Sequence, residues 1–410
     1  MSISDTMLGG GQFTGRAIYD TNVFSGVKED VADLVSMISP RETPLLMELG
    51  NAEYPAFSVY HQWQEEALGP NAIINSAAVA STAADTNIAV NAVGLQKGMI
   101  LRGPEVSGGE YMQIVNVPGP NTITVARAFA GTTANSFNTG EYITIVADAA
   151  VDGADVLGDL SQARPLRGNY TQIIKKDVII SGTQQAVLQH GGIVSELDHQ
   201  IRNRTTEALR DLEKSLILGR LSGSTLGTNA LTRTFRGLLQ AIATNAVTVT
   251  SINGAMDATA LVYFRDRIDA MIQGAWTQGG LDADLIVTGV TVKRWFDALN
   301  IDRIRVPTQE TLYSNLVTTY ENTYGRYRVM LNRWMPVHKA ILVSTNRIKV
   351  VPLNGRSFHF DPAAKTGDSE KGMVLGEYTV EHKNEEGMAQ ITFSDADFSP
   401  ASAARLLPAP

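Results

Sequence analysis

Residues 192–220 read GIVSELDHQIRNRTTEALRDLEKSLILGR, and no other stretch constrains the fold as tightly. Leu197, Ile201, Thr205, Ala208, Leu209, Leu212 and Leu216 recur at helical spacing, the stripe that one face of an α-helix requires. At 1.5 Å per residue such a helix runs roughly 43 Å, longer than most helices of globular proteins. The segments around it are β-rich, and no catalytic pattern lies beside it. A strut of this kind predicts architecture rather than chemistry.

A length of 410 residues suits two or three hydrophobic cores. With 44% hydrophobic and 19% charged residues, the composition is that of a folded chain rather than a disordered one. No apolar run reaches the roughly 18 residues that a membrane helix needs. Residues 1–16 are polar and Gly-rich, without a basic start or an apolar stretch, so no secretory signal is expected. The chain has no cysteine, which removes disulfides, thiolate nucleophiles and Cys-bound metals and fits folding in a reducing cytoplasm. Net charge is −8, and no Lys/Arg cluster is longer than Lys175-Lys176. Sequence-specific readers of nucleic acid carry a basic face, so none is expected here. An acidic balance is compatible with a neighbour of DNA that must not adhere to it, and equally with an ordinary soluble bacterial protein.

Residues 1–55 read as an extended arm. Gly9, Gly10 and Gly11 loosen it, and residues 27–37 (VKEDVADLVSM) carry a short helical pattern. Ser39-Pro40 ends that pattern, because a residue before proline is driven out of the α region. Thr43-Pro44-Leu45-Leu46 restarts a turn with proline at the first helical position. So short a segment builds no core of its own and must dock on its own body or on a neighbour.

Residues 57–63 (FSVYHQW) alternate like a strand. After a stretch without clear period, 71–87, a β-rich module occupies about 85–147. Its expected strands are 99–102, 110–117, 122–126 and 142–146, separated by Gly/Pro/Asn turns. A module of this size closes into a small barrel or sandwich, and its extended flanks mark it as an insertion in a long hairpin loop. Residues 171–181 (TQIIKKDVIIS) predict a strand before the long helix. Further on, 259–273 reads as a helix with Leu261, Phe264, Ile268, Met271 and Ile272 on one face. Residues 284–288 read as a buried strand, and 291–300 as a helix N-capped by Thr291. Strands are expected at 327–331, 340–344 and 348–352, and a hairpin from 376–382 and 387–393 around 383–386. The mixture predicts an α+β fold.

The chemical candidates are weak. His61, His190, His199, His338, His359 and His382 are dispersed, with no pair at metal-ligand spacing. His199 lies among charges on the long helix, where a solvated role fits better than metal binding. Asp148, Asp152, Asp155 and Asp159 lack the spacing and terminal glutamate of a calcium loop. The Gly9–Gly15 region follows no strand and precedes no GKS or GKT, so it is no phosphate loop. Neither Ser181-Gly182 nor Ser222-Gly223-Ser224 forms a nucleophile elbow. Trp63, Trp276, Trp295 and Trp334 are spread out like core or interface anchors.

Residues 164–187 (RPLRGNYTQIIKKDVIISGTQQAV), the helix end 210–220 (RDLEKSLILGR) and Thr234-Phe235-Arg236-Gly237-Leu238 resemble the major capsid proteins of tailed bacteriophages. The likeness is to the group with a domain inserted in the extended loop. Ile38-Ser39-Pro40-Arg41-Glu42-Thr43-Pro44-Leu45 resembles that group's arm motif, and Gly376-Glu377-Tyr378-Thr379-Val380-Glu381 its late β-hairpin.

The resemblance implies an α+β tailed-phage major capsid fold with a small all-β insertion. Its parts would be an N-terminal arm (1–55), an extended loop (56–180, insertion about 85–147) and a peripheral domain (181–234) on a spine helix (192–220). An axial domain (235–330), return strands (331–398) and a tail (399–410) would follow. Leu197, Ile201, Leu209, Leu212 and Leu216 would pack the spine helix. Val31, Leu34, Val35, Ile38, Leu45 and Leu46 would be the arm's bonding surface on a neighbour. It further implies no catalytic, cofactor or metal residues and no enzymatic role. Copies would join as hexamers and pentamers of an icosahedral head around double-stranded DNA, assembled in the host cytoplasm and ending in the virion. Portal and scaffolding or decoration proteins would be partners, with DNA near but not sequence-specifically bound, and no membrane. Two other readings stay open: a nanocompartment shell or other virion part, and a carbohydrate-active enzyme with the β-module as its binding domain.

Overall fold

The computed structural model describes residues 42–393 except 51, 53, 67, 77–81, 151, 156–158, 162, 187–194, 222–230, 250–257, 280–281, 300–318 and 366. The expected helix at 27–37, the tail at 399–410 and the first residues of the long amphipathic stretch lie outside the described residues. A short helix, α1 (Pro44–Leu49), starts with its proline in the first turn, as the sequence predicts. Strand β1 (Tyr60–Gln64) follows. The chain then enters a six-stranded antiparallel sheet: β2 (Ala72–Ile74), β3 (Asn87–Ala89), β4 (Met99–Arg102), β5 (Tyr111–Gly119), β6 (Thr122–Ala126) and β7 (Tyr142–Asp148).

The strands run in the order β2-β7-β4-β5-β6-β3, and the Ser76 amide donates to the Ala89 carbonyl at 2.8 Å, joining the two edges into a small barrel. Ile88, Leu101, Met112, Ile114, Ile123, Phe137 and Ile143 fill it. The stretch 71–87 thus supplies one whole strand and the start of another. Each is three residues long, too short for alternation to show in the sequence. Strand β8 (Leu166–Tyr170) pairs antiparallel with β1, from Tyr60 opposite Tyr170 to Gln64 opposite Leu166, so the barrel rides on a two-stranded stem.

Strand β9 (Gln172–Ser181) and the one-turn helix α2 (Gly182–Ala186) lead to α3 (Glu196–Leu218), the helix announced by the stripe. Ser195 caps it, its Oγ accepting from the Asp198 amide at 3.3 Å, and Glu196 and Asp198 place negative charge in the first turn. At its other end Gly219 and Gly237 meet back to back. A Cβ on Gly237 would come within 2.6 Å of the Gly219 nitrogen, so the segment 234–238 crosses there only because both are glycine. Helix α4 (Leu238–Ala241) starts at that crossing.

The next elements are β10 (Ala246–Val249), α5 (Ala258–Gly279), β11 (Leu285–Thr288), α6 (Val290–Ala298), β12 (Thr319–Asn322), β13 (Gly325–Leu331) and β14 (Lys339–Val343). After β15 (Ile348–Pro352), β16 (His359–Ala363) and the 14-residue β17 (Ser369–His382), the described chain ends in β18 (Ala389–Phe393). One mixed sheet has the order β10-β18-β14-β11-β13-β12. In the other, β17 pairs with β9 along one edge and with β16 and β15 along the opposite edge.

Helices α5 and α6 cover one face of the mixed sheet, with Phe264, Ile268, Ile272, Trp295, Phe296 and Phe393 between them. Its other face contributes Leu285, Val287, Ile341 and Val343 to a second core shared with α1, α3 and the β17 sheet. The two sheets therefore meet through a common interior rather than a linker.

Two expectations are corrected. The segments 376–382 and 387–393 are not a hairpin: β17 and β18 belong to different sheets. Asn384, in the left-handed region at φ 51°, and a 3-10 turn at Glu385–Gly387 redirect the chain between them. Helix α6 starts one residue early, at Val290, and its N-cap is Gly289 with no side-chain cap. A Cβ at Gly289 would lie 2.3 Å from the Pro336 carbonyl oxygen, so a backbone crossing, not threonine capping, sets this start.

Candidate functional site

Among the described residues no group of three His, Cys, Asp or Glu side chains is placed to hold a metal ion, and no helix is long and apolar enough to cross a membrane. A shallow cleft of about 360 Å³ lies between β9 and α3. Its lining holds no histidine, and its carboxylate, Asp211, is ion-paired to Lys176 at 2.5 Å. The chemistry-bearing side chains gather instead at three mechanical junctions.

The first is the root of the stem, where β8 and β1 meet β17. Asn169 is fully buried and crosslinks three segments: its Nδ2 donates to the Arg236 and Val380 carbonyls at 3.0 and 2.9 Å, and its Oδ1 accepts from the Arg236 amide at 2.8 Å. Buried Glu377 accepts from Thr171 Oγ1 at 2.6 Å, pairs with Arg356 at 2.9 Å, and is bonded by Arg233. Buried Glu381 is held by Tyr54 and by Lys383 at 2.7 Å, and His61 Nε2 stands 3.7 Å from it, beyond hydrogen-bond distance. Burial alone would raise the Glu381 carboxyl; the groups around it outweigh that and hold it at about 2. The Tyr54 hydroxyl, losing water beside that carboxylate, is pushed up to about 12. Trp63 packs edge-on to His382 at 5.1 Å and lies 6.2 Å from His61, so the fold brings together two histidines that the sequence left apart. Burial, then the Arg236 charge, lowers His382 to about 4, leaving a neutral ring at physiological pH.

The second junction is under the spine helix. The carboxylate of Glu213, fully buried on α3, accepts from the backbone amides of Leu45 and Leu46 at 3.1 and 2.8 Å and from Asn332 Nδ2 at 2.5 Å. Burial raises its pKa against the pull of those donors. Around it, Trp334 Nε1 donates to the Glu42 carbonyl at 3.0 Å, the Lys214 ammonium stands 4.5 Å from the Trp334 ring, and Arg328 binds Glu48 together with Asp284.

The third lies in the barrel. Glu110 is buried and receives Arg127 Nε and Nη2 at 2.9 and 2.6 Å, the Ala128 amide at 2.8 Å and the Asn135 amide at 2.9 Å. Burial works against the charge, but these bonds prevail and its pKa is lowered. Arg127 also donates to the Thr82 and Asp85 carbonyls, both at 2.9 Å, and stacks over Phe137.

The expected interface residues divide. Val31, Leu34, Val35 and Ile38 lie outside the described residues. Leu45 is buried in the chain's own core and so is not left for a neighbour, while Leu46 packs against that core and stays partly exposed. On the spine helix, Leu212 and Leu216 are buried, Ile201 packs on the same core, and Leu197 is half-buried at the amino end. Leu209 is 38% exposed and is not part of the packing face. The sheet follows Ala208, Leu212 and Leu216, and Leu209 sits about 100° around the helix from Ala208. Glu213 carried a partial signal, a carboxylate one residue after Leu212 and three before Leu216 of the packing face, but nothing nearby in the sequence names its partners. Asn169, Glu377, Glu381 and the Glu110–Arg127 pair carried none, since burial and the convergence of partners from several segments decide their roles.

A family model described as SU10 major capsid protein matches residues 13–394. The major capsid protein of Escherichia phage Phieco32 is 25% identical over 289 residues, which cover 58% of this chain and 80% of that one. Among solved structures, the capsid of Myoviridae phage XM1 aligns at 9% identity and a TM-score of 0.48, over 93% of this chain and 100% of the other. The holo-SrpI encapsulin of Synechococcus elongatus PCC 7942 aligns at 11% identity and a TM-score of 0.38, over 56% and 75% of the two chains.

Proposed function

The chain belongs to the SU10 major capsid protein family, and from that premise we propose how it builds a shell. It is a bacteriophage major capsid protein, a structural component whose copies assemble with one another. In our reading the copies form hexamers and pentamers of an icosahedral head around double-stranded DNA, put together in the host cytoplasm with portal and scaffolding proteins. The net charge of −8 suits a shell that neither reads nor retains its genome.

The division of labour follows the sheets. In this reading residues 1–55 are the arm, with α1 as its anchor on the body, and the β1–β8 stem presents the barrel as an inserted module. The β17 sheet with α3 is the peripheral part, and the mixed sheet with α5 and α6 the axial part. Heterologous contacts through arm and stem close rings and then a shell. Two such limbs per subunit bury more than the roughly 1,600 Å² of a standard interface. In the arm, Val31, Leu34, Val35 and Ile38 supply the apolar contact with the neighbour.

The observation that carries this reading is the family match across residues 13–394. Deleting residues 1–41, which stops short of the α1 anchor, tests the role of the arm. Folded subunits that give no shells in negative-stain micrographs are expected. Normal shells from this truncation would refute the arm as a bonding limb. Deleting through residue 50 is expected to unfold the subunit as well, because Leu45 and Leu49 leave the core.

A further inference from the structure

Glu213 is an anomaly on the face that packs best. Ala208, Leu212, Leu216 and Ile217 around it are buried in a continuous apolar core, and an apolar side chain would fit there at lower desolvation cost. A carboxylate instead demands that its donors stand at fixed places. Here those donors come from two other parts of the molecule: the Leu45 and Leu46 amides, where the arm enters the body, and Asn332, just after β13 of the mixed sheet. Asn332 is itself fixed, its amide donating to the Thr288 carbonyl at 3.0 Å and its Oδ1 accepting from the Trp334 amide at 2.8 Å. Trp334 then bonds the Glu42 carbonyl at 3.0 Å, one residue before the α1 cap. The spine helix, the mixed sheet and the root of the arm thus converge on a single side chain.

The geometry points to Glu213 as the positioning residue that fixes the orientation of residues 42–49 on the body, and thereby the geometry with which a subunit meets its neighbours. This rests on the arm-mediated assembly described above. The Leu45 and Leu49 side chains fix only that α1 sits on the core, since apolar contact is non-directional. The carboxylate, with its paired acceptors, sets the orientation. A glutamine keeps the volume but offers one acceptor oxygen and turns its amide toward donors, so the two backbone amides and Asn332 cannot all be satisfied.

The test compares full-length wild type with Glu213→Gln, read by hydrogen exchange at the Leu45 and Leu46 amides of the unassembled subunit and by particle size in negative-stain micrographs. Expected are a wild-type far-UV spectrum, exchange at least tenfold faster at those amides, and particles of mixed size or open sheets in place of one shell size. Unchanged exchange overturns the inference. So do uniform shells despite faster exchange, which would make Glu213 a structural contact only. If Glu213→Gln does not fold, Asn332→Ala removes one of the three donors, and the same two readouts decide with a smaller expected effect. Wild type that forms no shells at all would instead sink the assembly reading, so the two failures are distinguishable.

Discussion

Replacing Arg127 with methionine isolates the ion pair that holds the barrel loops. Glu110 is fully buried, and two of its four hydrogen bonds come from the Arg127 guanidinium; the Ala128 and Asn135 amides remain after the substitution. Removing one partner of a buried pair costs about 3–5 kcal/mol, because the other charge is stranded in a medium that solvates it poorly. The surviving amides place this case toward the lower part of that range. The lost bonds to Thr82 and Asp85 work the other way, freeing the turn before β3.

The expected loss is therefore about 3 kcal/mol, confined to the barrel. Hydrogen exchange reads it as protection falling about 150-fold in peptides 99–126, with peptides from α3 and α5 unchanged. The stranded carboxyl should also take up a proton, so part of the loss is recovered as pH falls toward 5. Adding Glu110→Gln removes the stranded charge and should restore more than half of the protection. A drop shared equally by the barrel and the spine helix would refute a local role. Unchanged protection would show that the pair contributes no net stability.

Leu216→Ala empties a fully buried site on the spine helix and should cost about 2–5 kcal/mol, measured as a lower urea midpoint with an unchanged slope. Leu209→Ala, on the exposed side, should stay within about 1 kcal/mol by the same assay; equal losses at the two positions would refute the observed helix rotation. For pH, His382 is held at about 4 when folded against an ordinary 6.5. Its neutral form belongs to the folded state, so stability is full above 6.5 and falls as pH drops from 6.5 to about 4, by roughly 3 kcal/mol in all. The groups facing it are Arg236, Glu65 and Glu385. Glu381 acts lower, its contribution present above 4.5 and lost as pH falls toward about 2. Urea unfolding at pH 7 and pH 4.5 should show the drop in wild type and a smaller one in His382→Gln; equal drops would exclude His382 as its source.

Much of this protein follows from local sequence. The period of residues 196–218 dictates the spine helix, and alternation with Gly/Pro turns dictates strands such as β4 and β6, whose bounds the pattern reproduces. Periodicity reports which face of a segment is apolar, and that information lies within a few neighbouring residues. It does not report what the face is buried against. So Leu45 reads equally well as a contact to a neighbour or to its own body, and only the packed core assigns it inward. The late strands show the same limit: 376–382 and 387–393 have hairpin spacing, yet Asn384 turns the chain so that β18 joins β10 and β14. The polar junctions were least legible. Asn169 meets Val380 across 211 residues, and Glu213 meets Leu45 across 168. A buried polar group is stable only beside its partner, and the partner's position is set by the whole fold rather than by any window of sequence.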